Sequence, residues 1–197
     1  MDTQPATLRE RKQQRTREAI VAAAFELFEE RGFDRVTVTD IAERAEVGRA
    51  TFFRYFGDKQ EVVFGDDNEL DQAVREAAGH LTGTPIGDSL PAALALVRRI
   101  VVAFIERLVE QPTAYLHHER LVAKHPELLA RSLTKQRRYA TELTKLLTTA
   151  GATPDTALLA AELALACYYA GRATVGDDPA RVPGAVDEAF ERLHPTS

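Results

Sequence analysis

The stretch from Gly48 to Lys59 reads GRATFFRYFGDK and holds the side chains with the most specific chemistry in the chain. If a short helix opens at Arg49, Phe52 and Phe56 fall one turn apart on its inner side. With Val47 from the preceding turn, they can pack on Ile41 and Leu27. The outward side is then Arg49, Ala50, Thr51, Arg54 and Tyr55, a small, cationic, hydrogen-bonding surface. A major groove admits one helix. Short residues such as Ala50 and Thr51 let the backbone approach base edges and thymine methyls, while Arg49 can reach guanine acceptors. Thr37, Tyr55 and Lys59 are spaced to meet phosphates from the sides, Lys59 in the first turn of a further helix whose free amides favour an anion. The plainer reading makes the phenylalanines core and the arginines solvated charges. For Phe52 and Phe56 we adopt it.

Other residue groupings suggest less. His117, His118 and Glu119 invite a metal or catalytic site, but neighbours on a helix diverge by about 100° and cannot converge on one ion. His118 and His125 share a face two turns apart, too far for a common ion, so no metal is expected; His117 or His118 could still hydrogen-bond an effector. No nucleophile turn, phosphate loop or metal-spaced cluster is present. An enzyme is therefore not expected and no cofactor is implied. A small hydrolase using these histidines, or a helical interaction module that binds no DNA, are the competing classes. Cys167 is the single cysteine, which excludes an intrachain disulfide and a multi-thiolate zinc site; it reads as a small apolar core residue or as a redox-sensing thiol.

The formal charge of -5 argues mildly against nucleic acid. Its distribution matters more: Arg9, Arg11, Lys12, Arg15 and Arg17 outweigh Asp2 and Glu10, whereas the acids lie further on, between Asp66 and Glu76. Such a basic run is a phosphate-facing arm or a solvated tail. The most apolar stretch, Leu94 to Leu108, is interrupted by Arg98, Arg99, Glu106 and Arg107, and Met1 to Glu10 has no apolar h-region. A cytoplasmic protein without a membrane span is expected.

The elements that must position these residues are helical throughout, because apolar residues recur at steps of three and four and nowhere alternate. The spacing predicts an all-α fold of about nine helices. The first runs from about Arg11 or Thr16 to Arg31, buries Ile20, Ala23, Ala24, Leu27 and Phe28, and ends at Gly32 in a left-handed cap. Thr37 caps the second, with Asp40 at its third position. After the third, Asp58 opens a long helix to about Ala78, bent at Gly65; Gly79 to Gly87 form the clearest loop. Ser89, with Pro91 behind it, starts a fifth helix that ends before Pro112. A sixth spans about Thr113 to His125, a seventh Pro126 to Ala150, an eighth, opened by Pro154 and Asp155, runs to about Val175, and a ninth spans Val182 to Leu193. Along the seventh, Leu129, Leu133, Gln136, Ala140, Leu143 and Leu147 form a seam suited to a packed partner.

The run from Gly32 to Lys59, GFDRVTVTDIAERAEVGRATFFRYFGDK, resembles the DNA-binding signature of TetR-family regulators. Agreement lies at Gly32-Phe33, Thr37-Val38, Ile41-Ala42, Ala45, Val47, Phe52, Tyr55, Phe56 and Lys59, and upstream at Ile20, Ala23-Ala24 and Leu27-Phe28. The likeness covers about the first third of the chain. It implies an N-terminal arm and three-helix helix-turn-helix domain over residues 1–60, and an effector-binding and dimerisation domain over 61–197. It places Arg49, Ala50 and Thr51 nearest the bases and Thr37, Tyr55 and Lys59 on phosphates. Three positions depart from the pattern. Glu46 stands where glycine is frequent, which suggests a slightly different turn, and Gly48, in the DNA-contacting stretch, replaces a common serine cap. Phe53 replaces a tyrosine whose hydroxyl would meet phosphate, so it contacts sugar apolarly or packs, and Arg54 is a candidate to compensate.

The resemblance further implies a homodimer on palindromic operator DNA, repression being the commoner habit. The last two long helices would form the interface through Leu159, Leu163, Ala166, Ala170, Ala173 and Phe190, ordinary core packing being the alternative. The remaining helices would enclose a small-molecule effector. Phe104, Leu108, Tyr115, His118, Tyr139 and Tyr168 are candidate walls, favouring a lipophilic or aromatic ligand.

Overall fold

The computed structural model describes residues 7–64, 68–79 and 85–193. Among them every regular element is helical: α1 (Leu8–Arg31), α2 (Val38–Arg44), α3 (Arg49–Tyr55), α4 (Lys59–Val63), α5 (Asn68–Gly79), α6 (Leu90–Leu108), α7 (Pro112–Lys124), α8 (Pro126–Thr149), α9 (Pro154–Val175) and α10 (Val182–Glu191), with 3-10 turns at Phe33–Arg35 and Pro179–Arg181. The chain divides into two compact units, Met1–Gly65 and Asp66–Ser197.

In the first unit α1 buries Ile20, Ala23, Ala24, Leu27 and Phe28, the stripe expected from its periodicity. It starts earlier than expected, at Leu8, because Leu, Arg, Glu, Lys and Gln are good helix formers and sustain the additional turns. Gly32 ends it at φ 80°, ψ 147°: the positive φ calls for glycine, but the extended ψ departs from the left-handed cap expected there. Thr37 closes a capping box on α2. Its hydroxyl accepts from the Asp40 amide at 3.2 Å, and the Asp40 carboxylate accepts from the Thr37 amide at 2.8 Å. The single helix expected from Asp58 to Ala78 is instead two. Asp58 caps α4, but Phe64 at φ -90°, ψ 0° folds its amide back on Glu61 and Val62, and α5 opens at Asn68. Gly65, the expected bend, and residues 80–84 of the expected loop lie outside the described residues.

In the second unit one apolar cluster joins α5, α6, α8, α9 and α10, with Tyr115 contributed by α7. Prolines in the first turns of α6, α8 and α9 act as the sequence predicts, whereas Pro112, expected only to end the preceding helix, opens α7. The buried side of α9 is made of small residues, Ala157, Ala160, Ala161, Ala164 and Gly171. This lets α10 approach closely. A Cβ on Gly171 would lie 2.6 Å from the Val186 Cα. Arg98 on α6 fastens α10 through Asp187 at 2.5 Å and Glu191 at 3.0 Å. Backbone bonds from Gly87 to Gly151 and from Thr153 to Gly87 tie the start of α6 to the α8–α9 turn.

The seam expected along α8 is only half right. Ala140, Leu143 and Leu147 are buried, but Leu129 and Leu133 are 46% and 53% exposed. Over the first turns the inward residues are Leu128 and Lys135, so the buried stripe there is displaced around the helix.

Candidate nucleic-acid interface

The reading head is built from α1 upward. Arg44 on α2 pairs with Glu26 at 3.2 Å and Glu30 at 2.8 Å, and Arg31 pairs with Asp40 at 3.2 Å, so α2 is pinned at both ends to α1. Hydrogen bonds from Arg44 hold the Glu30 carboxyl below its ordinary value. Thr37, through its hydroxyl and amide, does the same for Asp40. The turn into α3 uses amides of Ala45, Glu46 and Val47 on the carbonyls of Ile41, Glu43 and Ala42. Here Glu46 takes φ 54°. Glu46 adopts the left-handed conformation that suits glycine, at a steric cost.

Gly48 provides extended backbone at the start of α3 but no side-chain cap, and nothing lies within 4 Å of a Cβ built there. Phe52 and Phe56 are 0% and 1% exposed, with rings 5.8 Å apart. The Arg17 guanidinium stands over Phe56 at 4.6 Å. Arg49, Ala50, Phe53 and Arg54 are exposed, while Thr51 and Tyr55 are half-buried. The Arg54 guanidinium lies 5.3 Å from the Tyr55 ring. Phe53 does not pack away; it is 49% exposed and meets Phe52 edge-on at 5.5 Å.

Lys59 is engaged within its own unit. Its ammonium donates to the carbonyls of Phe33 at 2.9 Å, Val36 at 3.1 Å and Asp34 at 3.4 Å, and sits 4.4 Å from the Phe33 ring centre. An ammonium has three protons, so this cradle accounts for all of them. Lys59 ties the start of α4 to the turn before α2, where a phosphate contact was expected. Thr37 remains exposed although its hydroxyl serves the cap.

Residues 20–64 match the family model for bacterial regulatory proteins, tetR family. The HTH-type transcriptional regulator TcmR of Streptomyces glaucescens is 34% identical over 143 residues, 71% of this chain and 62% of that protein. The DNA-binding region of the TetR family is present over residues 20–64. It spans less than two thirds of the curated relatives it matches. Two solved structures share the fold. One is a TetR-family regulator from Streptomyces coelicolor, with a TM-score of 0.56, 18% identity and 98% of each chain covered. The other is Thermus thermophilus FadR in complex with lauroyl-CoA, with a TM-score of 0.52, 22% identity and 89% and 90% of the two chains covered.

The second unit distributes the remaining candidates unevenly. Phe104 and Tyr139 meet edge-on at 6.2 Å. Tyr115 belongs to the apolar cluster, and Phe104, Leu108 and Tyr168 pack against it. Burial first, and the neighbouring Tyr115 next, push the Tyr168 hydroxyl well above its ordinary value. His118 is half-buried and lies 3.9 Å from Glu119, which also pairs with Arg172 of α9. A cleft of about 130 Å³ between α7 and the α9–α10 connection is lined by Tyr115, Glu119, Arg120 and Arg172 among others, and contains none of the other five candidates.

Of the expected interface residues, Leu159, Ala166, Ala170 and Ala173 are exposed along α9. Leu163 is half-buried against the core. Phe190 is a correction: at 1% exposure it is an internal residue, because α10 turns it toward the cluster shared with α6 and α9. Burial raises the Cys167 thiol above its ordinary value, which disfavours the thiolate that redox sensing needs. The clamps Arg44–Glu30, Arg31–Asp40 and Arg17–Phe56 escaped the sequence reading. Opposite charges alone did not indicate which pairs would meet.

Proposed function

We propose that the chain is a ligand-responsive transcriptional regulator, a repressor in its simplest form, which binds palindromic operator DNA as a homodimer in the cytoplasm. The observation that carries this reading is the outward display of Arg49, Ala50, Phe53 and Arg54 on a helix anchored by buried Phe52 and Phe56. Exposed Arg9, Arg11, Lys12 and Arg15 at the start of α1 add the phosphate-seeking charge that the net balance of the chain lacks. No helix among the described residues is long and apolar enough to cross a membrane.

One reading head makes too few contacts to compete against genomic sites, so a two-fold pair is required. Leu158, Leu159, Ala166, Tyr169, Ala170 and Ala173 form an exposed, largely apolar side of α9, and Leu129 and Leu133 are exposed on α8. A second copy would cover the α9 surface. The aromatic walls around Phe104, Tyr115, Tyr139 and Tyr168 favour a lipophilic or aromatic effector; the FadR relative binds lauroyl-CoA. An effector that prefers dimers with mis-spaced reading heads lowers operator affinity by the same factor that operator lowers effector affinity.

The deciding experiment is selection of duplexes by the purified full chain, followed by gel shift across a salt series and size-exclusion of the free protein. A dimer that enriches a palindrome, with affinity falling steeply as salt rises, supports the reading. A monomer, or a chain that enriches no sequence, overturns it.

A further inference from the structure

The exposed side of α3 has a centre and two edges. Taking about 100° per residue from Arg49, Phe53 falls near 40°, Ala50 near 100° and Arg54 near 140°, while the buried Phe52 and Phe56 lie near 300° and 340°. The exposed sector therefore runs from Arg49 to Arg54, with Phe53 and Ala50 in its middle. In a helix laid into a groove, the middle of the exposed sector faces the base edges and its edges face the walls. The cations of α3 thus occupy the edges, and an apolar pair occupies the centre.

A half-exposed phenyl in that position is costly in water, and edge-on contact with the buried Phe52 ring restricts where it can go. Phe53 carries no hydroxyl with which to engage phosphate. The apolar feature that base edges present in the major groove is the thymine C5 methyl. Building on the DNA-binding reading above, we propose that Phe53 is a specificity-determining residue that reads a thymine methyl in each operator half-site, with Ala50 leaving the ring room to approach.

The test uses the full chain and the palindrome it selects from random duplexes. Each thymine of one half-site, and then its symmetry mate, is replaced by deoxyuridine, which deletes the methyl and leaves the pairing edge intact. One symmetric pair of substitutions should weaken the wild-type protein by roughly fourfold per half-site, the equivalent of one buried methyl group. Phe53→Ala should bind more weakly and lose the distinction between thymine and uracil at that position. Phe53→Tyr, which keeps the ring, should retain it. Equal thymine preference in wild type and Phe53→Ala, or a selected half-site without any methyl-sensitive thymine, overturns the inference while leaving DNA binding intact. Failure to select any duplex removes the DNA reading itself and this inference with it. Thermal unfolding of Phe53→Ala, compared with wild type, separates a lost contact from a lost fold.

Discussion

Replacing Lys59 by Met keeps the length and apolar body of the side chain while removing the ammonium. The wild-type ammonium makes bonds of 2.9, 3.1 and 3.4 Å to three carbonyls and lies 4.4 Å from the Phe33 ring. A hydrogen-bonded charged group contributes about 1.5–3 kcal/mol, and a partly exposed cation–π contact about 0.5–1 kcal/mol. The 3.4 Å bond is weak and Lys59 is only half-buried, so we take the lower part of the combined range, about 2–3 kcal/mol. For a unit of this size each kcal/mol displaces the midpoint by about 4–8 °C, giving a fall of roughly 10 °C or more in the melting of the first unit. Differential scanning calorimetry, or the unfolding of residues 1–65 followed by amide exchange, would register it. Operator affinity should be measured in parallel over a salt series. The reasoning fails if Lys59→Met melts with wild type while the slope of log affinity against log salt falls by about one, the signature of a lost phosphate contact.

Other perturbations separate backbone, packing and charge effects. Glu46→Gly relieves a left-handed glutamate but enlarges the unfolded ensemble; the two effects leave a net stabilisation of about 0.5–1 kcal/mol in urea unfolding, and destabilisation would show the turn to be unstrained. Gly171→Ala inserts a methyl 2.6 Å from the Val186 backbone, where no side chain can yield, and should destabilise by about 1–3 kcal/mol with the loss concentrated in α9 and α10; an unchanged midpoint would refute that close approach. The Asp187 carboxyl is held below its ordinary value, chiefly by the Arg98 hydrogen bond. Its stabilising share is complete above the unfolded Asp value and is lost as pH falls through the lower folded one. The advantage of wild type over Asp187→Asn should therefore shrink on acidification, and a constant difference across acid pH would dismiss the pair.

How far the sequence could be read depended on whether a feature was local. Thr37 with Asp40, Ser89 with Pro91, and the prolines opening α8 and α9 act within one turn, so their residue types announce the helix starts. Phe52 and Phe56 were legible for a related reason: two large aromatics one turn apart on a short helix need a core. Periodicity shows which residues share a side, but not which neighbour covers it. Phe190 and Leu159 both read as interface residues; one is buried within the chain and the other lies exposed on α9. Leu129 and Leu133 fit a packed seam, yet Leu128 is the residue turned inward. Lys59 was legible as a cation near the reading head, but its long stem could reach a phosphate or a carbonyl cradle equally well, and only the position of the Phe33–Arg35 turn decides between them.

The same locality argument bears on how binding could be regulated. Isolated helices below about 12–15 residues are marginal in water, and α3 has seven, without a side-chain cap at Gly48 and preceded by a strained Glu46. Its persistence rests on Phe52 and Phe56. Each fully buried phenylalanine contributes about 1.5–3 kcal/mol, so melting the reading helix would forfeit roughly 3–6 kcal/mol before any other loss. Coupling between ligand sites is commonly only about 1–3 kcal/mol. A small effector in the second unit therefore lacks the free energy to unfold α3, whereas altering the distance between two intact reading heads requires no loss of that burial. In the proposed regulator, induction consequently acts on the spacing of rigid heads and leaves the recognition surface of each one unchanged.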